Sequence, residues 1–134
     1  MIHLLWLDPR ALARAIEEVR RVVRDPSSPT FEEMAQLNYV KACAHETMRL
    51  KPVAPVIPLQ TVHNMTIGDV QVPAGIIVQN IMRSGSVSDS HQPRAAAFKP
   101  ERWLTENGVP NNIANAAKRV SMPFGAGPRI CPGR

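Results

Sequence analysis

Cysteine is scarce in this sequence: two residues in 134, Cys43 and Cys131. Two thiols so far apart offer no disulfide framework, and a thiolate kept for metal ligation must stay reduced, which favours the cytoplasm. Aromatic residues make up only 4% of the chain. They are not interleaved with the arginines, and no reader motif occurs, so nucleic acid is not an expected partner. Long hydrophobic runs are missing too. Met1 to Leu7 is apolar apart from His3, but it is too short to span a membrane. It also lacks the positive start and cleavage site of a signal peptide. Acidic residues stop at Glu106, whereas Lys118, Arg119, Arg129 and Arg134 follow it. No internal repeat interrupts the chain.

What is present suits one folded domain. The length allows a real core, and 44% hydrophobic content with mixed charges argues against disorder. Thirteen prolines are roughly twice the usual share, so much of the backbone should be irregular and extended. A net charge of +5 suits nucleic acid, an anionic surface or an acidic protein partner; the aromatic pattern has already disfavoured the first.

Asp8-Pro9 predicts a helix start, an N-cap followed by proline at the first helical position. Leu12, Ile16, Val19 and Val23 follow at helical spacing. Glu17 stands four before Arg21, suited to a surface pair, and Arg10, Arg14 and Arg21 read as a solvated side. Thr30 to Glu33 has capping-box spacing. A further helix from Asn38 carries Val40, Cys43, Thr47 and Leu50 on one face, with Cys43 a small core residue. Pro52, Pro55 and Pro58 space out an extended segment, with a strand at Gln60 to Val62. Gly68-Asp69 joins Met65–Ile67 to Val70–Val72 as a hairpin, and Ile76 to Met82 reads as a strand of the same small antiparallel sheet. Arg83 to Ala97 reads as a polar, irregular connection.

The chemistry concentrates at the end. Phe124-Gly125-Ala126-Gly127-Pro128-Arg129-Ile130-Cys131-Pro132-Gly133-Arg134 is too broken for a helix or strand. Glycine lets the backbone bend and approach a flat ligand, and proline stiffens it. Such a loop presents one thiol, with the Arg129 cation favouring its thiolate. A single thiolate can be the axial ligand of haem iron. A dinucleotide fingerprint would need glycine at Ile130. A zinc site would need clustered ligands, and Cys43 is far away. The residues alone also allow a glycine-rich loop around a buried structural cysteine. His45-Glu46 begins like a zinc-protease helix, but the second histidine's place is Arg49.

Phe124, Gly125, Gly127, Arg129, Cys131 and Gly133 fix six of ten successive positions. This pattern resembles the haem-binding loop of the cytochrome P-450 family. Glu46-Thr47-Met48-Arg49 resembles the family's Glu-x-x-Arg helix, and Pro100-Glu101-Arg102-Trp103 its Pro-Glu-Arg-aromatic segment, both in the expected order. The resemblance covers nearly the whole chain. It implies a mixed α and β fold, mainly helical with a small antiparallel sheet and long irregular loops, forming the C-terminal part of the family's domain. Residues 1–50 would be helices, 51–82 an extended segment and sheet, 83–123 the Pro-Glu-Arg segment and a meander, and 124–134 the cysteine loop.

The same resemblance implies that Cys131 ligates the iron of haem b and that Arg129 pairs with a propionate. It implies that Arg102 bridges back to Glu46 and Arg49, with Trp103 a core anchor. His63 is a further candidate for a propionate, although a lone histidine also reads as a strand-end residue. Pro58-Leu59-Gln60-Thr61 departs from the family in lacking a basic residue there. Val53 to Leu59 would border the substrate. The implied activity is monooxygenation of a small lipophilic substrate by dioxygen, with NAD(P)H electrons arriving through an acidic redox partner, a ferredoxin or a flavin reductase. Lys118, Arg119, Arg129 and Arg134 would make the face around the haem positive; apart from Arg129, they read equally as that partner's docking face or as propionate pairing with ordinary solvation. The family's oxygen-side helix and its substrate-recognition segments have no counterpart here, so the chain reads as truncated at both ends. A remnant that binds haem weakly or not at all is the alternative.

Overall fold

The computed structural model describes residues 1–111, 121–125 and 127–133, and for Arg129 the backbone alone. Helix α1 (Ile2–Leu7) and helix α2 (Pro9–Val22) meet at Asp8. The Asp8 carboxylate accepts the N–H groups of Arg10 and Ala11, each at 3.1 Å, so the cap read from Asp8-Pro9 is formed. Helix α3 (Phe31–Gln36) opens on the full capping box of Thr30 and Glu33.

The buried side of α2 matches the one that the branched residues suggested only in part: Val23 is buried and Val19 half-buried. Ala11, Ala15 and Glu18 face inward, Leu12 is half-buried and Ile16 is exposed. Small alanines let α2 come close to helix α4 (Asn38–Leu50), and Glu18 uses the approach. Its carboxylate accepts the backbone N–H of Tyr39 and of Val40, each at 2.9 Å. The first N–H groups of a helix have no partner within it, and the α4 N-cap, Leu37, supplies no side-chain acceptor. Glu18 therefore caps α4 from a neighbouring helix. The expected Glu17–Arg21 pair is not among the ion pairs of the described residues; the α2 cation that is paired is Arg14, with Glu101.

Strand β1 (Val56–Gln60) lies earlier than the Gln60–Val62 expected. It pairs antiparallel with β4 (Ile77–Ile81). Pro58 is tolerated because both strands of a two-stranded ribbon are edges. Strands β2 (Met65–Ile67) and β3 (Val70–Val72) form their own ribbon around Gly68-Asp69. The strands thus make two ribbons rather than one sheet. Buried Thr61 ties their junction: its hydroxyl donates to the Pro73 carbonyl at 2.6 Å and accepts the Ile76 N–H at 3.1 Å. The connection from Arg83 is not wholly irregular, since helix α5 spans Met82–Ser86. A 3₁₀ turn follows at Pro100–Trp103. Trp103 and Leu104 enter the core formed with Leu5, Ala11, Ala15 and the inner face of α4.

Replacing Glu18 by alanine should cost about 1–2 kcal/mol, the worth of a good helix cap, whereas Glu17→Ala should stay within about 0.5 kcal/mol. Urea unfolding of the two variants measures the difference.

Candidate functional site

Residues three apart on a helix point the same way, and Glu46 and Arg49 do so from α4 into the interior. Both are fully buried. Arg49 grips the carboxylate with two parallel bonds, Nε to Oε2 and Nη2 to Oε1, each 2.8 Å. Arg102 comes from the 3₁₀ turn, and its Nε donates to Oε1 at 2.9 Å. The Lys99 backbone N–H donates to Oε1 at 3.0 Å and the Trp103 indole N–H to Oε2 at 2.9 Å. The guanidinium groups find further acceptors in main-chain carbonyls. Arg49 donates to Ser86 and Ala97, and Arg102 to Pro93 and Arg94.

Burial alone would push the Glu46 carboxyl up. The hydrogen bonds from Arg49, Lys99 and Trp103, with the Arg49 charge, outweigh it and hold the group below the usual carboxylate range. Sequence reading assigned Trp103 to the core and missed its bond to Glu46. The carbonyls that satisfy the arginines carried no sequence signal at all.

The same turn grips the helices on its other side. Glu101 Oε1 accepts from Arg14 Nη1 at 3.1 Å and from the Tyr39 hydroxyl at 3.2 Å. The Arg14 guanidinium lies 4.2 Å from the Tyr39 ring centre, within cation–π range. Arg14, expected to be merely solvated, links α2, α4 and the turn.

The cysteine loop closes on itself. The Gly125 N–H donates to the Met122 carbonyl at 2.9 Å, Ile130 to Gly127 at 3.1 Å and Cys131 to Phe124 at 2.9 Å. Gly125 and Gly127 hold φ of +71° and +73°, where other residues are strained. A side chain built at either would meet nothing within 4 Å among the described residues, which leave that flank open. Phe124 is half-buried, and a 3₁₀ turn at Gly127–Arg129 leads to Cys131, whose thiol is exposed. A Cβ added to Gly133 would lie 3.8 Å from the Cys131 sulfur.

The two cysteines thus have opposite surroundings. Cys43 is fully buried, and burial pushes its thiol up to about 12, as suits a core residue. The described residues hold no group of three or more metal-ligating side chains. One exposed thiol beside an open glycine flank fits a single axial thiolate on a flat iron porphyrin and does not fit a zinc cage. His63 is exposed in the bend between β1 and β2. The Arg129 side chain, Lys118, Arg119 and Arg134 lie outside the described residues, and with them the basic face. No helix of the described residues is long and apolar enough to cross a membrane.

The family model described as Cytochrome P450 matches residues 1–134. Among curated proteins, the chain is 32% identical over 138 residues to the mitochondrial 1,25-dihydroxyvitamin D(3) 24-hydroxylase of Rattus norvegicus, covering 98% of this chain and 26% of that protein. It is 36% identical over 137 residues to the chloroplastic carotene epsilon-monooxygenase of Arabidopsis thaliana, covering 98% and 24%. It is 39% identical over 130 residues to the cytochrome P450 monooxygenase COX2 of Coprinopsis cinerea, covering 94% and 24%. The chain spans about a quarter of the length of these relatives.

Removing the Glu46 carboxylate should leave two cations without their anion. Glu46→Ala should therefore cost about 3–5 kcal/mol, enough to unfold a marginal domain. The pH dependence follows from the lowered pKa. The stabilisation is complete above the unfolded value of about 4.3 and is lost as pH falls through the folded value. Urea midpoints taken from neutral pH downward should fall below about pH 4.3, and Glu46→Gln should flatten that acid limb.

Proposed function

The chain belongs to the cytochrome P450 family, and from that premise we propose that Cys131 is the proximal thiolate of a haem-thiolate monooxygenase. The reaction inserts one atom of dioxygen into a small lipophilic substrate and releases the other as water, with electrons from NAD(P)H through an acidic ferredoxin or flavin reductase. Haem b, when bound, supplies dioxygen activation, and thiolate ligation favours O–O cleavage. One observation carries the reading: the exposed Cys131 thiol stands on a loop closed by its own N–H to Phe124, beside an open glycine flank.

The chain's own residues divide the work. Gly125 and Gly127 let the loop backbone approach a flat ring, and Phe124 anchors its first turn. Arg129 is the proposed propionate partner, with His63 a second. Val53 to Leu59 borders the substrate. Pro132 has no N–H to offer the sulfur, and Gly133 lies beside it. The sulfur thus keeps more electron density for iron than one followed by a non-proline residue. Glu46, Arg49 and Arg102 hold helix and turn in register. A thiolate must stay reduced, which supports the cytoplasm as compartment, although relatives named mitochondrial and chloroplastic occur.

In a second reading the chain by itself binds haem weakly and oxygenates nothing. Its support is the apolar surface left open: Val53, Val62, Ile2, Phe31 and Trp6 are all more than three-quarters exposed.

The test is spectroscopic. In the haem-loaded protein, Cys131→Ser should abolish the ferrous carbon monoxide band of thiolate ligation; a serine variant that kept it would remove Cys131 as ligand. Pro132→Ala, which adds an N–H next to the sulfur, should raise the haem reduction potential modestly, as read by redox titration.

A further inference from the structure

The start of α2, the start of α4 and the stretch leading into the 3₁₀ turn border a half-open cavity of about 450 Å³. That volume is in the range of small-molecule sites. Its charged lining is Arg10, Arg14, Arg94, Lys99, Asp8 and Glu101. One oxygen of each carboxylate is engaged, and the four cations outnumber the two carboxylates. Asp8 caps α2, and Glu101 holds Arg14 and the Tyr39 hydroxyl. Arg14 is held in turn by Glu101 and by the Tyr39 ring. Among the described residues, the side chains of Arg10, Arg94 and Lys99 enter no hydrogen bond or ion pair. Three cations without a hydrogen-bond or ion-pair partner among the described residues therefore line one concavity whose charge is positive on balance.

Arg94 adds a second observation. Its φ is +54°, a conformation that costs a branched or long residue strain and glycine none. The main chain there is needed, since the Arg94 carbonyl accepts from Arg102 Nη2 at 3.0 Å. Glycine would meet that need. An arginine held in this conformation points to use of its side chain.

We propose that this cavity binds a small free oxyanion, a molecule bearing phosphate or carboxylate groups, between Arg94 and Lys99 on one wall and Arg10 on the other. The anion relieves the repulsion among the three cations. Arginine supplies the planar fork that matches an oxyanion, and lysine a point charge. The site abuts the turn that carries Arg102 and Trp103, so occupancy stabilises the folded chain by linkage. It includes no residue of the cysteine loop, and its test needs no haem, so it stands or falls separately from the monooxygenase reading.

Titration calorimetry on the full chain at low salt, with pyrophosphate and citrate as probes, tests it. The informative variant is Arg94→Gly with Lys99→Gln. Glycine keeps the left-handed backbone and the carbonyl for Arg102, and the Lys99 backbone N–H stays on Glu46. Urea midpoints check that its fold is kept. Arg83→Ala, an exposed arginine on α5 away from the cavity, is the control. Saturable one-to-one binding should weaken about tenfold or more in the double variant, the loss expected for charge-assisted bonds, and remain unchanged in the control. Equal affinity in wild type and double variant, or equal loss in the control, overturns the proposal. So does binding to phosphatidylglycerol vesicles without binding to either free probe, because the surface would then be a membrane contact.

Discussion

Five hydrogen-bond donors converge on the fully buried carboxylate of Glu46. A charge placed in the interior is strongly unfavourable unless it is paired and fully hydrogen-bonded. Here the donors come from α4 itself, from the main chain at Lys99 and from the Pro100–Trp103 turn. The carboxylate is satisfied only when these segments are docked together, so partial docking leaves a buried charge exposed to that penalty. The arginines are tied in turn to Ser86, Pro93, Arg94 and Ala97, which draws the long connection after α5 into the same arrangement. Glu101, facing the other way from the same turn, adds α2 through Arg14 and α4 through Tyr39. Four residues of 3₁₀ turn thus hold two helices and a loop in register.

The cysteine loop obeys a different constraint. Among the described residues its order comes from backbone bonds within the loop and from two glycines with positive φ. The contrast between the thiols shows why this suits a ligand. Apolar burial opposes the thiolate and leaves Cys43 inert. Exposure with an open flank leaves Cys131 able to meet a metal. Between cluster and loop the chain is pinned at Leu104, which bridges to Pro110, while the Asn111 N–H donates to the Trp103 carbonyl at 2.8 Å.

Much of this was legible beforehand because its causes are local. Asp8-Pro9, the Thr30–Glu33 box and Gly68-Asp69 act within four residues, and each formed as read. The i,i+3 spacing of Glu46 and Arg49 likewise announced a pair. Reading failed where a distant partner decided the outcome. Leu12, Ile16, Val19 and Val23 stand at helical spacing, but of these only Val23 is buried and Ile16 is exposed, because close helix packing turns Ala11 and Ala15 inward. Glu18 carried no sequence signal, yet it caps a helix twenty-one residues on. The first strand was displaced to Val56–Gln60 because its register is set by Ile77–Ile81 rather than by its own sequence.

The sequence by itself determined the helix starts at Asp8-Pro9, Thr30 and Asn38, the Gly68-Asp69 turn and the set of chemical groups: one thiol among glycines and prolines, one Glu-x-x-Arg pair, one Pro-Glu-Arg-Trp segment. Those depend on backbone preference and near-neighbour bonds, which a linear pattern records. The tertiary structure alone decided that the Trp103 indole joins the Glu46 cluster, that Glu18 caps α4, and that Glu101 ties the turn to α2 and α4 through Arg14 and Tyr39. It also decided that Arg10, Arg94 and Lys99 share one cavity. Burial and through-space charge depend on distances between residues far apart in the chain, and no spacing along the sequence encodes them.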